Sequence, residues 1–141
     1  MKRYTTAIWS GNVKEGSGYL ISESKALDNT QYSYNSRFEK GTGTNPEELM
    51  AAAHAGCFTM QLSADLTKAG FTPEVLETQC TIIMEEGSIK KSELVVKAKI
   101  AGIKDDQFQE IAKGAKQNCP VSKAYKSLEI SLDASLENIT S

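Results

Sequence analysis

The 141-residue sequence predicts a domain of mixed helix and strand, and three observations carry that expectation. Short β-like segments divided by turn signals fill the N-terminal part, and an Ala-rich apolar helix follows an Asn-Pro start. Two long alternating segments then meet at a glycine turn.

Residues 4–9, 18–22 and 32–38 read as three strands of an antiparallel meander, with turn signals at Gly11-Asn12 and Asp28-Asn29. On the third of these strands Tyr34, Ser36 and Phe38 take one face, which leaves Asn35, Arg37 and Glu39 on the other. Gly41-Thr42-Gly43-Thr44 leads into Asn45-Pro46-Glu47-Glu48. This reads as an N-cap side chain, a proline where the helix needs no N–H, and two carboxylates at the positive end of the helix dipole. Glu48, three positions after Asn45, fits a capping box. The helix runs through Leu49, Met50, Cys57, Phe58, Met60, Leu62 and Leu66 to a stop at Lys68-Ala69-Gly70. It is apolar nearly all round, so burial is expected, with a partner chain covering what one subunit's sheet cannot. Residues 75–86 and 92–101 alternate as the strands of a hairpin turning at Glu86-Gly87-Ser88. Phe108, Ile111, Ala112 and Ala115 give a helix over 105–116; a short helix restarts at Val121 after Asn118-Cys119-Pro120, and 128–136 is a last strand.

A single domain over residues 1–141 suffices for this length, which buries roughly 70% of the surface the unfolded chain exposes. The net charge of −2 comes from 16 basic and 18 acidic residues scattered along the chain, with no basic stripe to neutralise phosphates, so nucleic acid is not an expected partner. No run approaches the ~18 apolar residues of a membrane span, and Met1-Lys2-Arg3-Tyr4-Thr5-Thr6 lacks the apolar core of a signal peptide. A cytoplasmic protein with no membrane partner is therefore expected. Three cysteines, an odd number, argue against a disulfide framework. The lone His54 has only Cys57 close in sequence, too few ligands for zinc, so no metal and no cofactor is expected.

The cysteines sit in unlike surroundings. Cys57 lies among alanines with Met60 beside it, where a free cysteine ordinarily just fills core space. Cys80 shares a strand face with Ile82 and Met84 and reads as core as well. Cys119 precedes a proline that can open a helix, so its sulfur is expected near free backbone N–H groups that favour a thiolate. Cys57 and Cys119 are too distant in sequence to meet locally; if they react with each other, the fold brings them together as a redox couple. Arg37 by itself is a solvated arginine. Laid over a cysteine, it would lower the thiol pKa and offer planar hydrogen bonds to an oxygen substrate. His54, one turn before Cys57, reads as a packing histidine, with a catalytic share as the alternative.

Taken in order, Gly43-Thr44-Asn45-Pro46-Glu47-Glu48-Leu49, Ala52-Ala53-His54-Ala55-Gly56-Cys57-Phe58 and Asn118-Cys119-Pro120-Val121-Ser122-Lys123-Ala124 resemble the OsmC/Ohr family of thiol peroxidases. Trp9-Ser10-Gly11 fits the same pattern, and Ala-His-Ala before the first cysteine with Ser36-Arg37-Phe38-Glu39 resembles the OsmC branch. The organic-hydroperoxide-resistance branch usually carries its arginine nearer the N-terminus, where this chain has Lys14-Glu15-Gly16. The resemblance implies an α+β fold in which two chains form an obligate, intertwined homodimer, long central helices packed between antiparallel sheets drawn from both. It implies that Cys57 is the peroxidatic cysteine, Cys119 the resolving cysteine, Arg37 the activating arginine and Glu47 the carboxylate that orients it. Organic hydroperoxides, and hydrogen peroxide as a further candidate, are the implied substrates; an external dithiol such as a dihydrolipoyl protein is the implied reductant, in oxidative or osmotic stress defence. Cys80 has no counterpart role. Helix geometry adds an independent constraint, because Glu47 and Cys57 would be about 15 Å apart along a straight helix and ~80° out of phase. One helix cannot join them, whereas a bend at its start or assembly from two chains can.

A thiol of pKa about 8.5 is less than a tenth ionised near pH ~7.4, and a pKa near ~6 gains only about tenfold. Arg37 is therefore also expected to orient the peroxide and stabilise the departing alkoxide. Phe38, Leu49, Phe58 and Met60 are candidates for an apolar entrance and equally good core. Two readings of another class are a non-catalytic dimer of this fold holding an apolar ligand, and a protein disulfide oxidoreductase. The chain lacks the Cys-x-x-Cys usual for the latter.

Overall fold

A computed structural model of the chain describes residues 1–137. It contains two compact units, one over residues 1–49 and one beginning at Met50.

In the first unit β1 (Thr5–Ser10), β2 (Ser17–Ser22) and β3 (Thr30–Tyr32) form an antiparallel sheet in that order. Gly18 pairs with both Trp9 and Tyr32, and a Cβ at that position would lie 2.6 Å from the Trp9 ring and 2.8 Å from the Tyr32 ring. Glycine lets those rings close to 5.5 Å between centroids.

The third strand is shorter than its alternation predicts. It stops at Tyr32, and Tyr34–Phe38 is a helical turn, α1. Ser33 and Ser36 decide this: Ser36 N–H donates to Ser33 Oγ at 3.2 Å, and Ser33 N–H donates to Ser36 Oγ at 2.7 Å. This reciprocal cap offers the backbone an alternative to the ladder that a period-two reading ignores. Arg37 accordingly sits on a helical turn and not on a strand face. Tyr34 and Phe38, four apart, stack with centroids 5.0 Å apart, and the Arg37 guanidinium lies 5.0 Å from the Phe38 ring.

Helix α2 (Pro46–Lys68) starts where the Asn-Pro signal puts it. Glu48 N–H donates to Asn45 Oδ1 at 2.8 Å, while the Glu48 carboxylate accepts from the Thr44 hydroxyl at 2.7 Å. Asn45 Nδ2 also donates to Ser36 O at 2.8 Å, and Thr44 N–H donates to Gln31 O at 2.9 Å, fastening the helix start to α1 and β3.

In the second unit β4 (Pro73–Glu85) and β5 (Ser88–Ile100) form the expected hairpin. Its two central residues, Glu86 (φ 51°) and Gly87 (φ 77°), are both left-handed, as a tight turn that matches strand twist requires. Ser88 thus belongs to the strand. After α3 (Asp105–Asn118) and α4 (Pro120–Ala124), β6 (Glu129–Leu136) lies parallel to β5, with Leu94 opposite Leu132. The expectation of antiparallel sheets fails here, because the intervening helices carry the chain back before the last strand begins, and a parallel pair needs such a crossover.

With strands on both sides, β5 buries Ser92, Leu94, Val96, Ala98 and Ile100 at the strand period. Phe58, Leu62 and Leu66 of α2, and Phe108, Ala112 and Ala115 of α3, complete this core, each large side chain contributing roughly 1.5–3 kcal/mol. The expected all-round burial of α2 is not met within one chain. His54, Phe58, Leu62 and Leu66 are its buried residues, a stripe every fourth position, whereas Met60 is 77% exposed. Among the described residues no helix is long and apolar enough to cross a membrane.

Candidate active site

Arg37 and Glu47 are paired within the first unit. Arg37 Nη2 and Nε donate to Glu47 Oε1 at 2.9 and 3.0 Å, and Nε also reaches Oε2 at 3.3 Å. The Glu47 side chain is 13% exposed and that of Arg37 39%, so the carboxylate is the fixed member. It stands in the first turn of α2, where the helix dipole favours a negative charge. Glu47 takes the Nε–Nη2 edge of the guanidinium, which leaves Nη1 to another acceptor. Beside it is a cavity of about 250 Å3 with Trp9, Tyr32, Tyr34, Phe38 and Pro46 in its walls together with Arg37. Of the expected entrance residues, Phe38 lines this cavity. Phe58 is fully buried in the core of the second unit.

Cys57 and Cys119 are brought together in the second unit. The Cys57 side chain packs against the core cluster that contains Cys119, and the Cys119 thiol and the Val121 amide both act on its ionisation. All three cysteines are free; Cys119 is fully buried and Cys57 half-buried. Cys119 is the joint between two helices: its N–H donates to Ala115 O at 2.9 Å, closing α3, and its carbonyl accepts from Lys123 N–H at 3.1 Å, opening α4. Pro120 has no N–H, so the Val121 amide is the first that α4 presents. That amide, expected to serve Cys119, acts instead on the ionisation of Cys57.

Burial pushes the Cys57 thiol up, the bond to Cys119 and its charge push the same way, and the Val121 N–H pulls down. The net push is upward, opposite to the depression expected of an activated cysteine.

Helix α2 also brings His54 inside. Its Nδ1 lies 2.6 Å from Ser92 Oγ on β5 and its Nε2 2.8 Å from Ser122 Oγ on α4. Ser92 Oγ is in turn 3.2 Å from Cys80 Sγ, and the Tyr125 ring stands edge-on to the imidazole at 5.2 Å. Cys80 thus packs against the core as expected, with a hydroxyl partner. Neither serine carries a signal in the sequence, because each meets His54 only through tertiary structure.

Burial lowers the His54 pKa from its ordinary 6.5. A lowered folded value means that the unfolded chain takes up the proton first. Stability is therefore full above pH ~6.5 and declines as pH falls from there through the folded pKa. The urea midpoint should drop over that interval in the wild type, and His54→Gln should remove this part of the slope. An unchanged slope in the variant contradicts the assignment.

A chain of mixed helix and strand thus carries one free cysteine on its long helix and another at the joint of two later helices. The chain belongs to the OsmC-like family, whose model, OsmC-like protein, matches residues 39–133. It is 40% identical over 136 residues to peroxiredoxin OsmC of Escherichia coli (strain K12), covering 94% of each chain. It is 32% identical over 113 residues to organic hydroperoxide resistance protein OhrB of Bacillus subtilis, covering 77% of this chain and 82% of that one. In fold it is similar to the crystal structure of an OsmC-like protein from Mycoplasma pneumoniae, with a TM-score of 0.75 at 15% identity over 98% of this chain and 99% of the other.

Proposed function

We propose that the chain is a thiol-dependent peroxidase that reduces organic hydroperoxides, with Cys57 as the attacking and Cys119 as the resolving cysteine. The observation that carries this reading is the juxtaposition of the two free cysteines, which come from α2 and from the α3–α4 joint and meet in one core cluster. The Cys57 thiolate attacks the terminal peroxide oxygen; the O–O bond breaks, the alkoxide leaves and is protonated to the alcohol, and Cys57 becomes a sulfenic acid. The Cys119 sulfur then attacks the Cys57 sulfur, the S–O bond breaks, and the hydroxide leaves as water with the Cys119 proton. An external dithiol, such as a dihydrolipoyl protein, reduces the disulfide and is itself oxidised. Arg37, held by Glu47, supplies the cation that offsets the upward push on Cys57 and the donors that orient the peroxide.

The aromatic cavity beside Arg37 favours an organic peroxide over hydrogen peroxide. Such activity suits a role in oxidative or osmotic stress defence. Peroxide consumption measured with a panel of dithiols should show turnover that is faster with an organic hydroperoxide. Binding of apolar molecules without consumption, with every dithiol tried, would favour the non-catalytic reading.

The active form is a homodimer. Met60, 77% exposed on α2, lies on a face that a second copy would cover. Sedimentation at micromolar concentration should give a dimer, and a stable folded monomer there rejects this part.

A further inference from the structure

We infer that His54 is a positioning residue that sets the rate at which Cys119 closes on oxidised Cys57; this rests on the peroxidase reading above. Helices α2 and α4 face each other through three successive rungs. The Tyr125 hydroxyl donates to Met50 O at 3.1 Å, Ser122 Oγ lies 2.8 Å from His54 Nε2, and Cys57 packs with Cys119 and Val121 in one core cluster. Met50, His54 and Cys57 follow one another at about one helical turn on α2, and Tyr125, Ser122 and Cys119 at the same interval in reverse order. The imidazole is therefore the rung next to the reacting sulfurs. Its other nitrogen is anchored on β5 by Ser92, so the histidine ties α4 to the sheet as well as to α2.

This geometry bears on the second chemical step. Two neighbouring sulfurs must approach to about 2.05 Å, with a restricted torsion, for the disulfide to form. Cys119 sits at the joint of α3 and α4, and α4 is only five residues long, so it needs an outside tether to hold its angle. His54 at 0% exposure, with a hydroxyl on each ring nitrogen, provides one. In the neutral ring one nitrogen donates and the other accepts, and serine hydroxyls can serve either role. Closure itself needs no further reagent: the S–S bond forms as the S–O bond of the sulfenic acid breaks, and water leaves.

The test separates the two rungs of the ring. An asparagine amide reaches about the place of Nδ1 and a glutamine amide about the place of Nε2, so His54→Asn keeps the Ser92 contact and His54→Gln the Ser122 contact. Each reduced variant is given one equivalent of organic hydroperoxide, and loss of Cys57 thiol, trapped sulfenic acid and disulfide are followed in time. His54→Asn and Ser122→Ala should slow disulfide formation roughly ten- to a hundredfold, with sulfenic acid accumulating and the oxidation of Cys57 slowed far less. His54→Gln should restore closure to within about threefold of the wild type, and Ser92→Ala should leave it there. Equal slowing by the Asn and Gln variants, or by both serine variants, overturns the inference and leaves His54 as packing. Unaltered closure in Ser122→Ala overturns it even if His54→Asn fails to fold. If the wild type forms no Cys57–Cys119 disulfide at all, the assignment of Cys119 falls, and this inference falls with it.

Discussion

Replacing Cys57 by serine should reduce hydroperoxide turnover to the uncatalysed background, a loss of at least ~10⁴-fold or about 5 kcal/mol of transition-state stabilisation. A hydroxyl has a far higher pKa than a thiol, so neither a backbone amide nor a guanidinium can ionise it appreciably at neutral pH. The fold should survive, because Cys57 is half-buried and a hydroxyl takes no more room than the thiol. Cys119→Ser should behave differently. It should consume one equivalent of peroxide and stop, with Cys57 as a sulfenic acid open to trapping or to over-oxidation by excess peroxide. Stoichiometry by mass spectrometry distinguishes the two variants. Full activity in Cys57→Ser removes the proposed nucleophile, and sustained turnover in Cys119→Ser removes the proposed resolving role.

What the sequence makes legible here is whatever local chemistry decides. Asn45-Pro46 marks the start of α2 because a cap and a proline act within one turn, and Glu86-Gly87 marks the hairpin because both residues must be left-handed. The break at Cys119-Pro120 is legible for the same reason, since proline withdraws an N–H and leaves the next amide to open α4. The segment from Tyr34 to Phe38 misleads because two signals compete. Alternating apolar and polar residues satisfy a strand, and the serine pair at 33 and 36 satisfies a helix cap; the cap has the lower-lying solution where the sheet ends. The parallel pairing of β6 is not legible, since nothing within residues 129–136 records which way its neighbour runs. The same holds for the surroundings of His54. One helical turn links it to Cys57 in sequence, but Ser92 and Ser122 reach it only through the packed sheet and α4. The direction of the Cys57 pKa cannot be read either, because it depends on burial and on the Cys119 sulfur, both products of the tertiary fold.

Arg37→Lys should lower kcat/KM with an organic hydroperoxide by ten- to a thousandfold, about 1.4 to 4 kcal/mol, while lowering the Cys57 thiolate fraction far less. The substitution keeps a positive charge and removes the planar fork. In the structure that fork is engaged along one edge: Nε and Nη2 both donate to Glu47 Oε1, at 3.0 and 2.9 Å, and this fixes the plane in which Nη1 points. A lysine ammonium has three donors on a flexible stem, so it can neutralise a thiolate but cannot hold a peroxide oxygen in a set direction. If charge alone mattered, the lysine variant would keep nearly normal turnover, and the geometric role would be lost. Glu47→Gln should give a milder form of the same defect, since an amide oxygen still accepts one guanidinium bond without the charge that holds the plane. Glu48→Gln provides the control within the same helical turn. Its carboxylate accepts from Thr44 and its N–H donates to Asn45, so its loss should touch the helix cap, by about 1 kcal/mol or less, and leave the kinetics near wild type. Steady-state rates for the three variants, taken with thiolate absorbance against pH, separate charge from geometry. Equal kinetic damage from the two glutamate changes would refute the assignment of Glu47 as the residue that orients Arg37.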